Sequence, residues 1–448
     1  MKKSSAGRTL AAGSIGNFGE IYDFAVFGFS VPMLSLHFFP GTDRTAALLS
    51  TFAVYAVAFF ARPLDGLLFG YLADRVGRIK VMASTVWLMA GATAIIGLLP
   101  TYASVGIAAP VLLVLCRIAQ GLALGGETTG TTSFIVESAP RNRRGLWLGI
   151  TLIFSHLPNA FVAILMIGLQ SGAGPAAYAD WVWRVPFLVG GLIGIVGFWL
   201  RRNLEDPEEF KQASRVVRTE NPLQSATRSG GLRAMLNVAL IQPVHSVASY
   251  LLLGFMYTFL VGVAKLEPRA ALLSNAGAIV VLSACIPLGG LLSDRIGRKP
   301  VLSFGAVWVA LAAYPALFLA ASGTLMGALM GQILIVFGLG LYGGASFVAA
   351  PEFFPTAYRA TGYAISFQIT VALFGGTTPL IAAWLVQHSA SPLAPAFYVI
   401  FIAVACLIAI QFVPETNGVS LRTSVGTGDL PRDARPTLVG LPDEAAKV

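Results

Sequence analysis

Long apolar stretches, separated by short polar ones, run along nearly the whole chain. Each is close to the roughly 20 residues that a helix needs to cross a bilayer. Strands of this length do not fit, because only helices and closed barrels satisfy every backbone polar group in lipid. The pattern therefore predicts an all-α polytopic membrane protein with twelve transmembrane helices, at 15–38, 46–70, 80–99, 107–134, 145–169, 183–200, 236–263, 270–292, 300–321, 324–349, 360–387 and 393–413.

The composition supports this prediction. The 448 residues are 56% hydrophobic and 11% charged, whereas soluble domains have about 25% charged residues. An ordinary cytosolic enzyme is therefore excluded. Lys2, Lys3 and Arg8 resemble the basic start of a signal peptide, but Glu20 and Asp23 interrupt the apolar core that would follow, so we expect an uncleaved first helix.

The basic residues are shared unequally between alternate loops. Most of the 30 Lys and Arg residues fall on the side that carries both termini, which the positive-inside rule assigns to the cytoplasm. We expect a multi-pass protein of the bacterial inner (plasma) membrane. Its predicted parts are a six-helix half at 1–200, a cytoplasmic linker at 201–235, a second six-helix half at 236–413 and a disordered cytoplasmic tail at 414–448.

The two predicted halves repeat two motifs. G-Y-L-A-D-R-V-G-R at 70–78 recurs as G-L-L-S-D-R-I-G-R at 290–298, and E-x-x-P-x-x-x-R starts at Glu137 and again at Glu352. Two motifs in register indicate a duplication, which places a substrate site between the halves. The motif residues are predicted to form a cytoplasmic gate, the alternative being solvated turns that carry topology signals. They are Asp74, Arg75, Arg78, Glu137, Arg144, Asp294, Arg295, Arg298, Glu352 and Arg359.

These turns resemble the signature loops of the major facilitator superfamily, and more narrowly its metabolite:proton symporter family, which contains shikimate, α-ketoglutarate, citrate and proline/betaine transporters. The resemblance implies the major facilitator fold, with the first and fourth helices as neighbours. The family usually has a small residue in place of Asp65 and Asn in place of Gln368. The similar segments are 16–24, 116–121, 125–127, 183–187, 352–356, 372–379 and 414–418.

Four acidic residues inside the predicted spans are candidates for proton coupling. Glu20 and Asp23 lie three apart, on one face of the first helix, and two close carboxylates at low dielectric resist simultaneous ionisation. Asp23 is the first candidate for the proton carrier and Glu20 the second, followed by Glu127 and Asp65. The alternative is that either of the first two forms a permanent bridge with a basic residue.

A second set of residues is predicted to bind substrate. Arg117 offers a planar fork to a carboxylate and could bind an organic anion or alternate between substrate and Asp23. Arg62 is expected to pair with Asp65 or with the gate. For His156, a substrate role and a packing role stay open. The candidate set is Arg117, Gln120, Tyr22, His156, Asn159, Phe367 and Gln368.

The predicted function is that of a proton-coupled symporter, which imports a small carboxylate-bearing or zwitterionic metabolite by alternating access and acts as a monomer. An uncoupled facilitator and a proton-driven exporter are the alternatives within the superfamily. The chain has no G-x-x-x-x-G-K-[ST] sequence and no His or Cys at metal-ligand spacing. We therefore expect no ATP site, no metal, no cofactor and no nucleic-acid partner, and we find no catalytic cluster for a membrane-embedded enzyme.

Overall fold

The computed structural model describes residues 6–41, 43–76, 78–123, 127–202, 231–355 and 359–419, with side chains except at 6–17, 65–83, 127–128 and 197–202. Helices make up nearly all of this part of the chain, and it contains no strand. The helices of the first half are α1 Ala6–Phe38, α2 Arg44–Val76, α3 Arg78–Leu98, α4 Ala108–Leu122 continued by Glu127–Ser138, α5 Arg144–Asp180 and α6 Val185–Arg202, with short helices at Tyr102–Val105 and Val182–Arg184.

The second half has the same number of helices. Two of them contain a π-helical turn, a feature that is frequent at functional sites. They are α7 Gly231–Tyr250 with the π turn Leu251–Phe255 and Met256–Gly262, α8 Pro268–Ile296, α9 Arg298–Ala320, α10 Leu325–Glu352, α11 Arg359–Thr370 with the π turn Val371–Gly376 and Thr378–His388, and α12 Ala394–Phe412.

The helices confirm the predicted architecture. In the part of the chain that the structure describes, nine helices are long and apolar enough to cross a membrane, and three shorter apolar ones occupy the predicted third, fourth and sixth spans. The surface also fits a lipid environment, because Leu311, Phe401 and Phe412 are each more than two thirds exposed. Helix α5 continues beyond the predicted end at residue 169, through a kink at Gly174, where φ is 80°.

Two helix pairs form the largest contacts between the halves in the described part of the chain. Helix α5 packs along α8, and α2 packs against α11. Helices α2 and α8 hold the same place in their respective halves, as do α5 and α11, so the two contacts are related by the pseudo-two-fold axis that a duplication predicts.

The α5–α8 contact depends on residues without bulky side chains. A Cβ atom at Gly149 would lie 2.6 Å from the Cα of Pro287, and one at Gly145 would collide with the carbonyl oxygen of Gly290. Small residues let membrane helices approach this closely. The α2–α11 contact is similar, because a Cβ at Gly376 would lie 2.7 Å from the ring of Phe59.

Candidate functional site

A buried polar cluster lies inside the first half, where α1, α3 and α4 meet. The Asp23 carboxylate accepts hydrogen bonds of 2.5 Å from the Thr93 hydroxyl and 2.5 Å from the Gln120 amide. Arg117 Nη1 lies 3.4 Å from the second carboxylate oxygen and donates to Gln120 Oε1 at 2.9 Å. None of the four side chains is more than 2% exposed. We call these four residues the Asp23 cluster.

Aromatic rings surround the guanidinium of Arg117. Its Cζ lies 4.2 Å from the Phe27 ring centroid and 5.0 Å from that of Phe24, and Nη2 donates to the Tyr55 carbonyl at 3.4 Å. Such stacking stabilises a cation that has left water. Both Nη atoms of Arg117 therefore have protein partners in this state.

A second buried ion pair lies beside this cluster. Arg62 pairs with Glu20 at 3.2 Å, and its guanidinium stacks on Phe24 and Phe59 at 4.4 and 4.8 Å. Tyr250 of the second half interacts with both members of the pair. Arg62 therefore has Glu20 as its partner, and the side chain of Asp65, the predicted partner, lies outside the described residues.

The repeated Glu and Arg residues pair crosswise at one end of the bundle, which we call the repeat face. Glu137 pairs with Arg359 at 2.6 Å, and Arg144 pairs with Glu352 at 3.2 Å. Each acidic residue of one half thus pairs with the basic residue of the other half, and both bridges hold the halves together.

Asp294 adds a third contact across the repeat face. Its carboxylate accepts the backbone N–H groups of Gly145 and Leu146, each at 2.9 Å, at the N-terminus of α5. This position favours a negative charge because the first N–H groups of a helix have no intrahelical partner. Arg298 joins the arrangement by binding Asp294 at 2.6 Å and Glu352 at 3.3 Å.

Three of the predicted gate residues cannot be placed in this network. The side chains of Asp74, Arg75 and Arg78 lie outside the described residues, as does that of the proton-coupling candidate Glu127. Arg295 is described and is exposed.

Residues 414–419, which the sequence assigns to a disordered tail, form an ordered segment across the repeat face. The Glu415 carboxylate accepts the backbone N–H groups of Arg298 and Lys299 at 2.9 Å. The Thr416 hydroxyl donates to Glu352 at 2.7 Å, and Arg144 donates to the Val419 carbonyl at 3.1 Å. The segment binds both halves because the first N–H groups of α9 bind Glu415 and the Arg144 side chain of α5 binds the Val419 carbonyl. Residues 420–448 lie outside the described residues.

The halves are also in contact at the opposite face. A Cβ at Gly28 of α1 would lie 3.0 Å from the Leu253 carbonyl of α7, and the rings of Phe52 and Phe255 lie 6.0 Å apart. The halves are therefore in contact at both faces.

The predicted substrate residues lie at different places. Tyr22 donates to the Pro186 carbonyl at 2.7 Å and so packs against α6. His156 and Asn159 are buried on α5 and form hydrogen bonds with their own helix. Phe367 and Gln368 are buried on α11, where Phe367 contacts Phe347 of α10. The structure brings Arg117 and Gln120 together with Asp23, and it does not add Tyr22 to that cluster.

Several residues at the site were absent from the sequence-based set. Thr93 was missed because one threonine in an apolar span resembles ordinary packing. Gln242 and His245 carried a usable signal, since two polar residues three apart in an apolar span share one face. Both are buried on α7 and have side-chain atoms without a hydrogen-bond partner. Among the described residues, no group of three His, Cys, Asp or Glu side chains could bind a metal.

Comparison with known proteins fits this geometry. A family model described as Major Facilitator Superfamily matches residues 13–367. The chain belongs to the major facilitator superfamily. It is 33% identical to the proline/betaine transporter of Escherichia coli over 96% of this chain and 88% of that protein. It is 34% identical to the ectoine/proline transporter ProP of Corynebacterium glutamicum over 94% of this chain and 86% of that protein.

Solved structures show the same fold. A partially occluded inward-open structure of the Escherichia coli xylose transporter XylE superposes with a TM-score of 0.71, at 18% identity, over 92% of this chain and 98% of that one. The family resemblance and the twelve-helix fold predicted from the sequence are thereby confirmed. The protein is a multi-pass membrane transporter of the secondary type and not an enzyme.

Proposed function

We propose that this protein is a proton-coupled symporter that imports a small zwitterionic, carboxylate-bearing metabolite across the bacterial inner membrane. The repeat face then lies on the cytoplasmic side, as the distribution of basic residues predicts. The curated relatives, which carry the names proline/betaine and ectoine/proline transporter, support this class of solute. A solved D-xylose–proton symporter has the same fold, which supports the proposal of proton coupling.

The observation that carries the proposal is the Asp23 cluster. A fully buried carboxylate is costly unless it is paired and hydrogen-bonded, and here Arg117, Thr93 and Gln120 supply those partners. Protonation of Asp23 removes the charge that balances Arg117, so the cluster has two arrangements, one for each protonation state. Coupling requires a site that changes its arrangement when it takes up a proton.

The closed faces supply the second requirement. Opening of the repeat face must break the crossed bridges Glu137–Arg359 and Arg144–Glu352, and opening of the opposite face must separate Gly28 from Leu253. Alternating access follows if the halves rock so that one set of contacts breaks at a time. The halves reorient readily only when Asp23 is protonated and the substrate site holds its solute. Under this condition the proton gradient drives uptake.

The test is uptake into proteoliposomes with and without an imposed inward proton gradient. The panel is labelled proline, glycine betaine, ectoine, shikimate, α-ketoglutarate and citrate. Wild type is compared with Asp23→Asn and with Asp180→Asn, which removes an exposed carboxylate at the far end of α5. The proposal is supported if the gradient drives accumulation of a zwitterion, and if Asp23→Asn abolishes this accumulation while Asp180→Asn does not. If the solute only equilibrates, to the same extent with and without the gradient, the proposal is contradicted and the protein is an uncoupled facilitator. If the gradient drives export, the protein is an exporter.

A further inference from the structure

Helix α7 carries a concentration of buried polar atoms that have no partner. In the described part of the chain they include Nε2 and Oε1 of Gln242, Nδ1 of His245 and the Ser246 hydroxyl. Gln242 is fully buried and His245 is 6% exposed. An unpaired buried polar group costs about 1–3 kcal/mol, so native proteins keep such groups where a ligand or water completes them.

The backbone around these residues is irregular, which fits a binding site. Pro243 has no N–H group and so interrupts the hydrogen bonds of α7, and the π turn Leu251–Phe255 follows less than two turns after His245. The Ile241 carbonyl accepts a hydrogen bond from Tyr342 of α10. Gln242 therefore sits on a stretch of helix that is anchored to α10 on one side.

His245 is oriented so that Nδ1 can donate. The Ser249 hydroxyl lies 3.3 Å from Nε2; when it donates there, the proton of the neutral ring resides on Nδ1. Helix α10 comes close to this atom at Gly343, where an added Cβ would lie 3.0 Å from Nδ1 and would crowd it. The imidazole and the Phe347 ring pack edge-to-face, with their centroids 4.7 Å apart. Nδ1 of His245 and Nε2 of Gln242, which lie three residues apart on one face of the helix, are thus two donors suited to a carboxylate.

The other half has an acceptor on α5, in His156. Nδ1 of His156 lies 2.8 Å from the Leu152 carbonyl, and since a carbonyl only accepts, Nδ1 carries the proton and Nε2 has the lone pair. The imidazoles of His156 and His245 lie close enough to interact electrostatically. The stronger charges of the first half are already paired, since both Nη atoms of Arg117 bind protein groups.

We propose that Gln242 and His245 bind the carboxylate of the transported solute, and that His156 accepts a hydrogen bond from its N–H group. The ligand is then an amino- or imino-acid zwitterion that bridges α5 and α7, and so joins the two halves. This inference rests on the proposed function and assigns its substrate contacts to α7 in place of Arg117.

The first experiment measures the dissociation constant of L-proline for purified protein by titration calorimetry. We expect Gln242→Leu and His245→Leu to raise it about 10- to 100-fold, since each removes a hydrogen bond to a charged group. His245→Asn, which keeps a donor at the Nδ1 position, should bind within about 3-fold of wild type. Gly343→Ala should weaken binding as well. Gly262→Ala, made in the same helix outside the subsite, is the matched control and should leave the constant unchanged, since a Cβ there has nothing within 4 Å.

The second experiment varies the ligand. Pyrrolidine lacks the carboxylate and N,N-dimethylproline lacks the N–H group. We expect His156→Leu to weaken proline binding but leave dimethylproline binding unchanged, and we expect pyrrolidine to bind equally to wild type and His245→Leu. If wild type, Gln242→Leu and His245→Leu bind proline with equal affinity, the subsite is wrong. The proposed function still stands in that case, provided that the proton gradient drives uptake. Wild type that neither binds nor accumulates any zwitterion would overturn both.

Discussion

Glu137 and Arg359 form a 2.6 Å salt bridge between the two halves, although 222 positions separate them in the chain. Both belong to E-x-x-P-x-x-x-R repeats, and each repeat supplies the acid for the other repeat's arginine. Duplication thus produced two equivalent bridges between the halves, and a rotation of one half against the other would separate both.

The two bridges should differ in strength. Glu352 is buried and contacts both Arg144 and Arg298, and removing one partner of a buried pair costs about 3–5 kcal/mol. Glu137 is 38% exposed, although its partner Arg359 is fully buried, so solvent can stabilise the charges of this pair in part when it is broken. We expect Glu352→Gln to open the repeat face and Glu137→Gln to open it less. Maleimide labelling of Thr151→Cys, a buried position on α5, measures this opening, and equal labelling rates in the two variants would contradict it.

The α5–α8 contact should not tolerate a methyl group. Gly149→Ala would place a Cβ 2.6 Å from Pro287, and overpacking of this kind costs about 1–3 kcal/mol. We expect lower transport and a repeat face that labels more readily. Gly168→Ala on the same helix is the control, since a Cβ there has nothing within 4 Å. The prediction fails if both substitutions have the same effect on transport.

Glu20 and Arg62 are expected to act as a structural bridge. Glu20→Gln leaves a buried guanidinium without its counter-charge, which should lower the melting temperature in detergent. Glu20→Gln combined with Arg62→Gln removes both charges and should recover most of the melting temperature and of the uptake. If stability returns but gradient-driven uptake does not, Glu20 takes part in proton transfer.

The geometry of Arg117 should matter beyond its charge. Its two Nη atoms reach Asp23, Gln120 and the Tyr55 carbonyl, and its plane lies on Phe27. A lysine keeps the charge but loses the fork and the stacking, so Arg117→Lys should reduce the uptake rate about 10-fold or more. Arg269→Lys, at an exposed position, is the control. Uptake at the wild-type rate in Arg117→Lys would show that charge alone is sufficient.

The sequence predicted the spans, the duplication and the face shared by Glu20 and Asp23, because these depend on hydropathy and helical spacing within one segment. It did not predict that Arg62 pairs with Glu20, or that Glu137 pairs with Arg359, because such pairs depend on how distant helices pack. Gln242 and His245 lie three residues apart, as do Arg117 and Gln120, so the same spacing argument could have selected them. The neutral residues His156 and Asn159 were selected on that spacing, whereas Gln242 and His245 were missed because a buried neutral side chain resembles packing until its unpaired atoms are located.

The segment at 414–419 belongs to no transmembrane helix, yet it bonds to Arg144 in one half and to Glu352 in the other. Any motion that parts the halves must detach it from at least one of them. Its position makes it a natural reporter: an environment-sensitive dye on Val419→Cys would brighten or dim with each opening of the repeat face, and would time single turnovers without a label in the transport path.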